Sequence, residues 1–178
     1  SGNARAWLRV VAEDAGVMLS SKAPETVLRQ LEAISPELLR ADPAAILVLM
    51  RRLFTWGQIP KMLELRGLLL EAASEDGGLP QEERGNLLGE CDLIMSFLCY
   101  NDIEKMSLLH QSACSRMTRP AASIRTYGTY TFGSPSVLMM FHRTPGAMAQ
   151  EVQAMNHAMP FYYQVTQEHG AGAELVME

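Results

Sequence analysis

The chain has 178 residues, 48% of them apolar and 20% charged, with a net charge of −5 at neutral pH. That length buries a substantial core, and the composition excludes a disordered segment. Basic residues are dispersed, Arg51-Arg52 being the only adjacent pair, so a nucleic-acid-binding surface is not expected of this chain.

From the N-terminus, Trp7, Leu8, Val11, Ala15, Met18 and Leu19 recur at helical spacing and predict a helix over 5–19. A second helix begins at Pro24, which suits a first helical position, and carries Val27, Leu28, Leu31 and Ile34 on one side. It ends at Ser35-Pro36, because the residue before a proline is pushed out of helical geometry. Asp42-Pro43 reads as an N-cap acid followed by proline, opening a helix whose apolar arc is wide enough for burial on two sides. Pro60 opens its partner, with Met62, Leu65, Leu69 and Ala72 in register and Gly67 suited to close approach. Residues 74–78 form a loop.

Pro80 then starts a long helix through Leu87, Cys91, Ile94, Met95 and Leu98, with Gly85 and Gly89 together on one face. Each glycine costs about 1 kcal/mol of helix propensity relative to alanine, so both predict contact with a neighbouring helix. Its partner runs from Asp102 to Arg116. An irregular connector is expected over 118–145, with a short hairpin at 124–133 as the alternative and a helix restarting at Ser134-Pro135. A longer helix follows over 147–168, and Ala173 onward reads as the opening of another.

The middle of the chain nearly repeats itself. Leu53-Phe54-Thr55-Trp56-Gly57-Gln58-Ile59-Pro60-Lys61-Met62 is answered 44 positions later by Phe97-Leu98-Cys99-Tyr100-Asn101-Asp102-Ile103-Glu104-Lys105-Met106. Leu49 matches Leu93, Met50 matches Ile94, Leu65 matches Leu109 and Leu69 matches Ala113. Self-similarity at this period marks stacked helical hairpins, each breaking at Gly57 or Asn101, residues that accept left-handed geometry. The expected fold is all-α: a single helical-repeat domain over 1–178, a fragment of a longer protein, built as a right-handed superhelix of antiparallel helix hairpins resembling a tetratricopeptide (TPR-like) solenoid. Leu49, Met50, Leu53, Phe54, Ile94, Leu98, Ile103, Met106 and Leu109 are its expected core.

Little in the chain carries chemistry. It lacks the phosphate-binding, dinucleotide, zinc-protease and serine-hydrolase signatures, so no enzyme activity and no cofactor are expected of it. His110, His142, His157 and His169 are scattered, and a surface or hydrogen-bonded role is expected for them over metal ligation. Cys91, Cys99 and Cys114 have no paired spacing and read as reduced thiols of a cytoplasmic protein. The acids Glu82 and Glu83 sit in a first turn, where the helix dipole and solvent account for them. The longest apolar run, 44–50, falls short of the roughly eighteen residues of a membrane span, and no signal-peptide order precedes it.

One segment, 127–136, mixes aromatics, hydroxyls and glycines, which stack on and hydrogen-bond small molecules, or else plug a gap between helices. Tyr127, Tyr130, Phe132, Ser134, His142 and Arg143 are the candidate ligand or partner contacts.

The stretch Thr131-Phe132-Gly133-Ser134-Pro135-Ser136-Val137-Leu138-Met139-Met140-Phe141-His142-Arg143, with the later break His169-Gly170-Ala171-Gly172-Ala173-Glu174, resembles the helical-repeat region of large bacterial LuxR-type transcriptional regulators of the MalT-like kind. In that family an ATPase comes first, a superhelical sensor follows and a helix-turn-helix module ends the chain. The resemblance implies an effector-sensing and oligomerisation module that binds a small-molecule inducer or a regulatory protein and can self-associate, with DNA binding left to the parent protein. The spacing departs from the usual tetratricopeptide unit, and a free-standing protein–protein interaction scaffold is the alternative.

Overall fold

In the computed structural model, residues 2–99, 102–124 and 145–169 are described, and they form eight α-helices and no strand. These are α1 (Gly2–Glu13), α2 (Pro24–Glu32), α3 (Pro36–Arg40), α4 (Pro43–Thr55), α5 (Ile59–Ala72), α6 (Gln81–Ser96), α7 (Ile103–Arg116) and α8 (Met148–Thr166). The turn at Asn101, the segment 125–144 with its expected helix, and the expected C-terminal helix all lie outside the described residues.

The first helix stops earlier than its apolar spacing predicts. Ala15 and Gly16 turn to φ 52° and 78°, and the Asp14 carboxylate accepts from the Gly16 and Met18 amides at 2.7 and 2.8 Å. These bonds redirect the chain into a separate 3-10 turn, Val17–Ser21. A Cβ on Gly16 would stand 2.7 Å from Val48 Cγ1, so the reversal also presses this turn against α4. Ser35-Pro36 ends one helix and starts another: Ser35 Oγ accepts from the Leu38 amide at 3.4 Å and caps the short α3, which the apolar pattern alone does not announce.

Helix α4 is the centre of the molecule. Asp42 caps it through the Ala45 amide at 3.2 Å, and every residue from Ala45 to Met50 is buried. An arc that wide needs neighbours on several sides, and α1, α3, α5 and α6 supply them. The chain leaves α4 through Gly57 at φ 70°, where Gln58 N–H donates to Leu53 O at 2.8 Å. That bond closes the helix end in the left-handed geometry glycine accepts most readily, and the short connection sets α5 against α4.

The repeat is visible in burial. Leu49 and Leu93, Met50 and Ile94, Leu53 and Phe97, Met62 and Met106, and Leu69 and Ala113 are buried in both copies. Phe54, Leu98, Ile103 and Leu109 depart from the expected core and are only half-buried. Phe54 lies against Phe97 with ring centroids 5.6 Å apart, and Ile103 borders a smaller apolar cluster of Met106 and Met155; each packs at an edge and keeps one side open.

Gly85 and Gly89 behave as their spacing predicts. A Cβ on Gly85 would meet the Arg116 carbonyl oxygen at 2.8 Å, and one on Gly89 would collide with the Met117 side chain, so both let α7 approach α6 closely. Gly67 does not: it is exposed, with nothing within 4 Å among the described residues, because that side of α5 is turned away from its neighbours. Helix α6 ends at Ser96, short of the predicted Leu98, and continues as the 3-10 turn Phe97–Cys99. Beyond α7, α8 packs along it and ends where Gln167 and Glu168 turn to φ 54° and 60°. Among the described residues, no helix is long and apolar enough to cross a membrane.

Candidate functional site

The six residues expected to contact a ligand, Tyr127, Tyr130, Phe132, Ser134, His142 and Arg143, lie outside the described residues. What is described is the strap that follows α7, residues 118–124, and the buried polar seam that holds it.

Helix α6 reads the strap with one face. Glu82, Asn86 and Glu90 are spaced four apart and therefore stack along one side of the helix. Asn86 Oδ1 accepts from the Thr118 amide at 2.8 Å and the Arg119 amide at 3.3 Å, while Glu82 accepts from the Thr118 hydroxyl at 2.8 Å. Glu90, wholly buried, accepts from the Ser123 amide and faces the Arg119 guanidinium at 3.5 Å. Glu83 takes the other arm of Arg119 at 2.9 Å. The first-turn acids thus do more than face solvent, since each carries a side-chain contact from the strap.

Two further elements close on the same segment. Arg51, on α4, donates to the Ser123 carbonyl at 2.6 Å. Ala121 N–H donates to Val165 O, in the last turn of α8, at 2.8 Å. Burial pushes the Arg51 pKa down, and the fields of Tyr162 and Glu90 act against that shift. Tyr162, on α8, shares a hydrogen bond with His169 Nδ1 at 2.9 Å, both side chains buried. Burial raises the pKa of the Tyr162 hydroxyl and, together with the Arg51 charge, lowers that of His169. The seam therefore holds a neutral phenol and a neutral imidazole beside a guanidinium at neutral pH.

A third buried ring completes it. His110, on α7, lies with its ring centroid 5.1 Å from that of Tyr162. Its Nε2 is 3.0 Å from Ser96 Oγ, and Ser96 Oγ itself donates to Leu93 O at 2.6 Å. With the hydroxyl proton directed to that carbonyl, Nε2 carries the hydrogen and Nδ1 is left as a bare acceptor with no partner among the described residues. This serine–histidine pair thus runs in the opposite sense to an activated nucleophile, in which the hydroxyl donates to the ring. Cys91 is equally unreactive: burial pushes its thiol up to about 11 and keeps it protonated.

Among the described residues, no group of three or more histidine, cysteine or acidic side chains is placed to hold a metal ion. Open clefts lie elsewhere. One of about 760 Å³ runs between α1 and α3 past Arg5, Arg9, Val10 and Leu38, and one of about 380 Å³ lies on α8 beside Met159, Pro160 and Tyr163.

Sequence reasoning passed over Arg51, Asn86, Glu90 and Tyr162. The available signal was an acid at position 90, on the face of α6 that carries Leu87, Cys91 and Ile94, and an arginine ending the apolar run of α4. A charge on a buried face requires a partner. Compared with protein-family models, curated proteins and solved structures, the chain has no match.

Proposed function

We propose that this chain is a recognition module: a TPR-like, superhelical stack of hairpins that senses an effector for a LuxR-type regulator of the MalT-like kind. It takes a small-molecule inducer or a regulatory protein, supports self-association, and acts in the cytoplasm. Any DNA contact belongs to a separate module of the parent protein. The observation that supports this reading best is the equivalence of α4–α5 and α6–α7, in which five matched pairs are buried in both copies. Repeated hairpins make rigid extended surfaces suited to holding ligands and partners. The regulator assignment rests on the sequence resemblance at 131–143 and 169–174.

Calorimetric titration of candidate sugars and regulatory proteins, repeated with Tyr130→Ala and Arg143→Ala, tests it. Saturable binding that weakens at least tenfold in folded variants is the expected result. Folded variants that bind as tightly as the parent remove the assigned site. A coding sequence with neither an upstream phosphate-binding loop nor a downstream helix-turn-helix removes the regulator.

A second reading, a free-standing interaction scaffold, draws on a different observation: α5 leaves Leu63 and Leu70 exposed on one face, beside the open Gly67. The same coding sequence separates the two readings.

A further inference from the structure

Arg51 sits where four separate pieces of chain meet. It projects from the most buried helix, α4, to the Ser123 carbonyl of the strap; Glu90 of α6 takes the amide of that same residue; and Tyr162 and His169, at the end of α8, lie within its field. The strap is in turn bonded to α8 directly, through Ala121 and Val165.

We propose that Arg51 is a latch that makes the strap, residues 118–124, and the C-terminal part of α8 open and close against the hairpins as one unit. A part-buried guanidinium is tolerated while its donors are met and opposite charge is near. If the strap lifts away, Arg51 loses its carbonyl acceptor and Glu90 loses the Ser123 amide, leaving two under-partnered ions inside the protein. If the end of α8 lifts away, the Tyr162 hydroxyl and its partner His169 leave the same place, water reaches Arg51, and the strap loses its bond to Val165. Either departure removes support for the other, so the two motions share a coupling free energy, and coupling of that kind is reciprocal. This inference concerns the seam alone and stands independently of which effector the module senses.

Reciprocity supplies the test. Amide hydrogen exchange, followed by mass spectrometry on the whole chain, reads the strap, α8 and the α4–α5 hairpin in one experiment. Arg51→Met is expected to speed exchange in both the strap and α8 by about tenfold or more, the factor implied by a lost charge-assisted hydrogen bond, with α4 and α5 unchanged. Tyr162→Phe alters α8 alone and keeps its packing. It is expected to speed exchange in the strap in the same sense, and it remains decisive if the Arg51 variant does not fold. Arg51→Lys, which keeps the charge, is expected to fall between parent and Arg51→Met. The latch is refuted if Tyr162→Phe loosens α8 and leaves the strap as it was, if Arg51→Met frees the strap without α8, or if all helices loosen together.

Discussion

His110 and Tyr162 face each other across the α7–α8 interface with ring centroids 5.1 Å apart, and among the described residues the imidazole has a hydrogen-bond partner on one nitrogen only. Protonating the other nitrogen would place a charge against the buried ring of a tyrosine. Burial accordingly holds the His110 pKa down to about 4.

Acid should therefore destabilise the fold as pH drops below about 6.5. The unfolded chain takes up this proton near pH 6.5, the folded chain only near 4, so between those values the unfolded state binds more protons. Stability is unaffected by this group above pH 6.5, falls as pH drops below it, and stops falling below about 4. The slope is up to about 1.4 kcal/mol per pH unit for one histidine, and His169, shifted the same way, adds to it. Urea melts of the parent and His110→Gln at pH 5 and 7 measure the difference. An unchanged slope in the variant would mean that His110 is already protonated in the native state.

Leu53 is wholly buried at the crossing of α4 and α5, and it is the repeat partner of the buried Phe97. Leu53→Ala should cost about 2–5 kcal/mol, the range for emptying a packed core position. A loss below about 1 kcal/mol in denaturant melts would show that the site collapses around the smaller side chain.

The helical glycines should respond with opposite signs. Gly67→Ala adds a methyl into open space, so it should stabilise the fold by about 0.5–1 kcal/mol through helix propensity. Gly85→Ala gains the same propensity but sets its Cβ 2.8 Å from the Arg116 carbonyl, which forces α7 away from α6. Thermal melts should rise for the first variant and fall for the second; a rise for both would show that the α6–α7 contact yields freely.

What could be read in advance was whatever the local chain decides. Asp42 before Pro43, glycine at 57 and the 44-residue echo place α4 to α7, because caps, turns and apolar spacing act over a few residues. The end of α1 escaped that logic, since a left-handed alanine at 15 carries no compositional mark. The seam escaped it for a different reason. Asn86 and Glu90 are polar residues whose burial becomes tolerable only when a segment some thirty positions later arrives to satisfy them. Within one helix's length, the place of Glu90 on the face of Leu87, Cys91 and Ile94 signals that it needs a partner but not which segment supplies one. Pro160, by contrast, lies inside α8 without ending it, so the predicted helix over 147–168 was nearly right despite the breaker.

The bond from Arg51 to Ser123 also has a place in time. It joins positions 72 apart, whereas the α4–α5 and α6–α7 contacts link neighbours in sequence. Local pairs close quickly and distant ones wait for the chain between them. During synthesis the two hairpins are thus complete before the strap exists, and until it docks each newly made molecule carries the buried-to-be charges of Arg51 and Glu90 open to water. Docking of the strap is then a late event in maturation, and until it occurs the two hairpins lack the partner that meets Arg51 and Glu90.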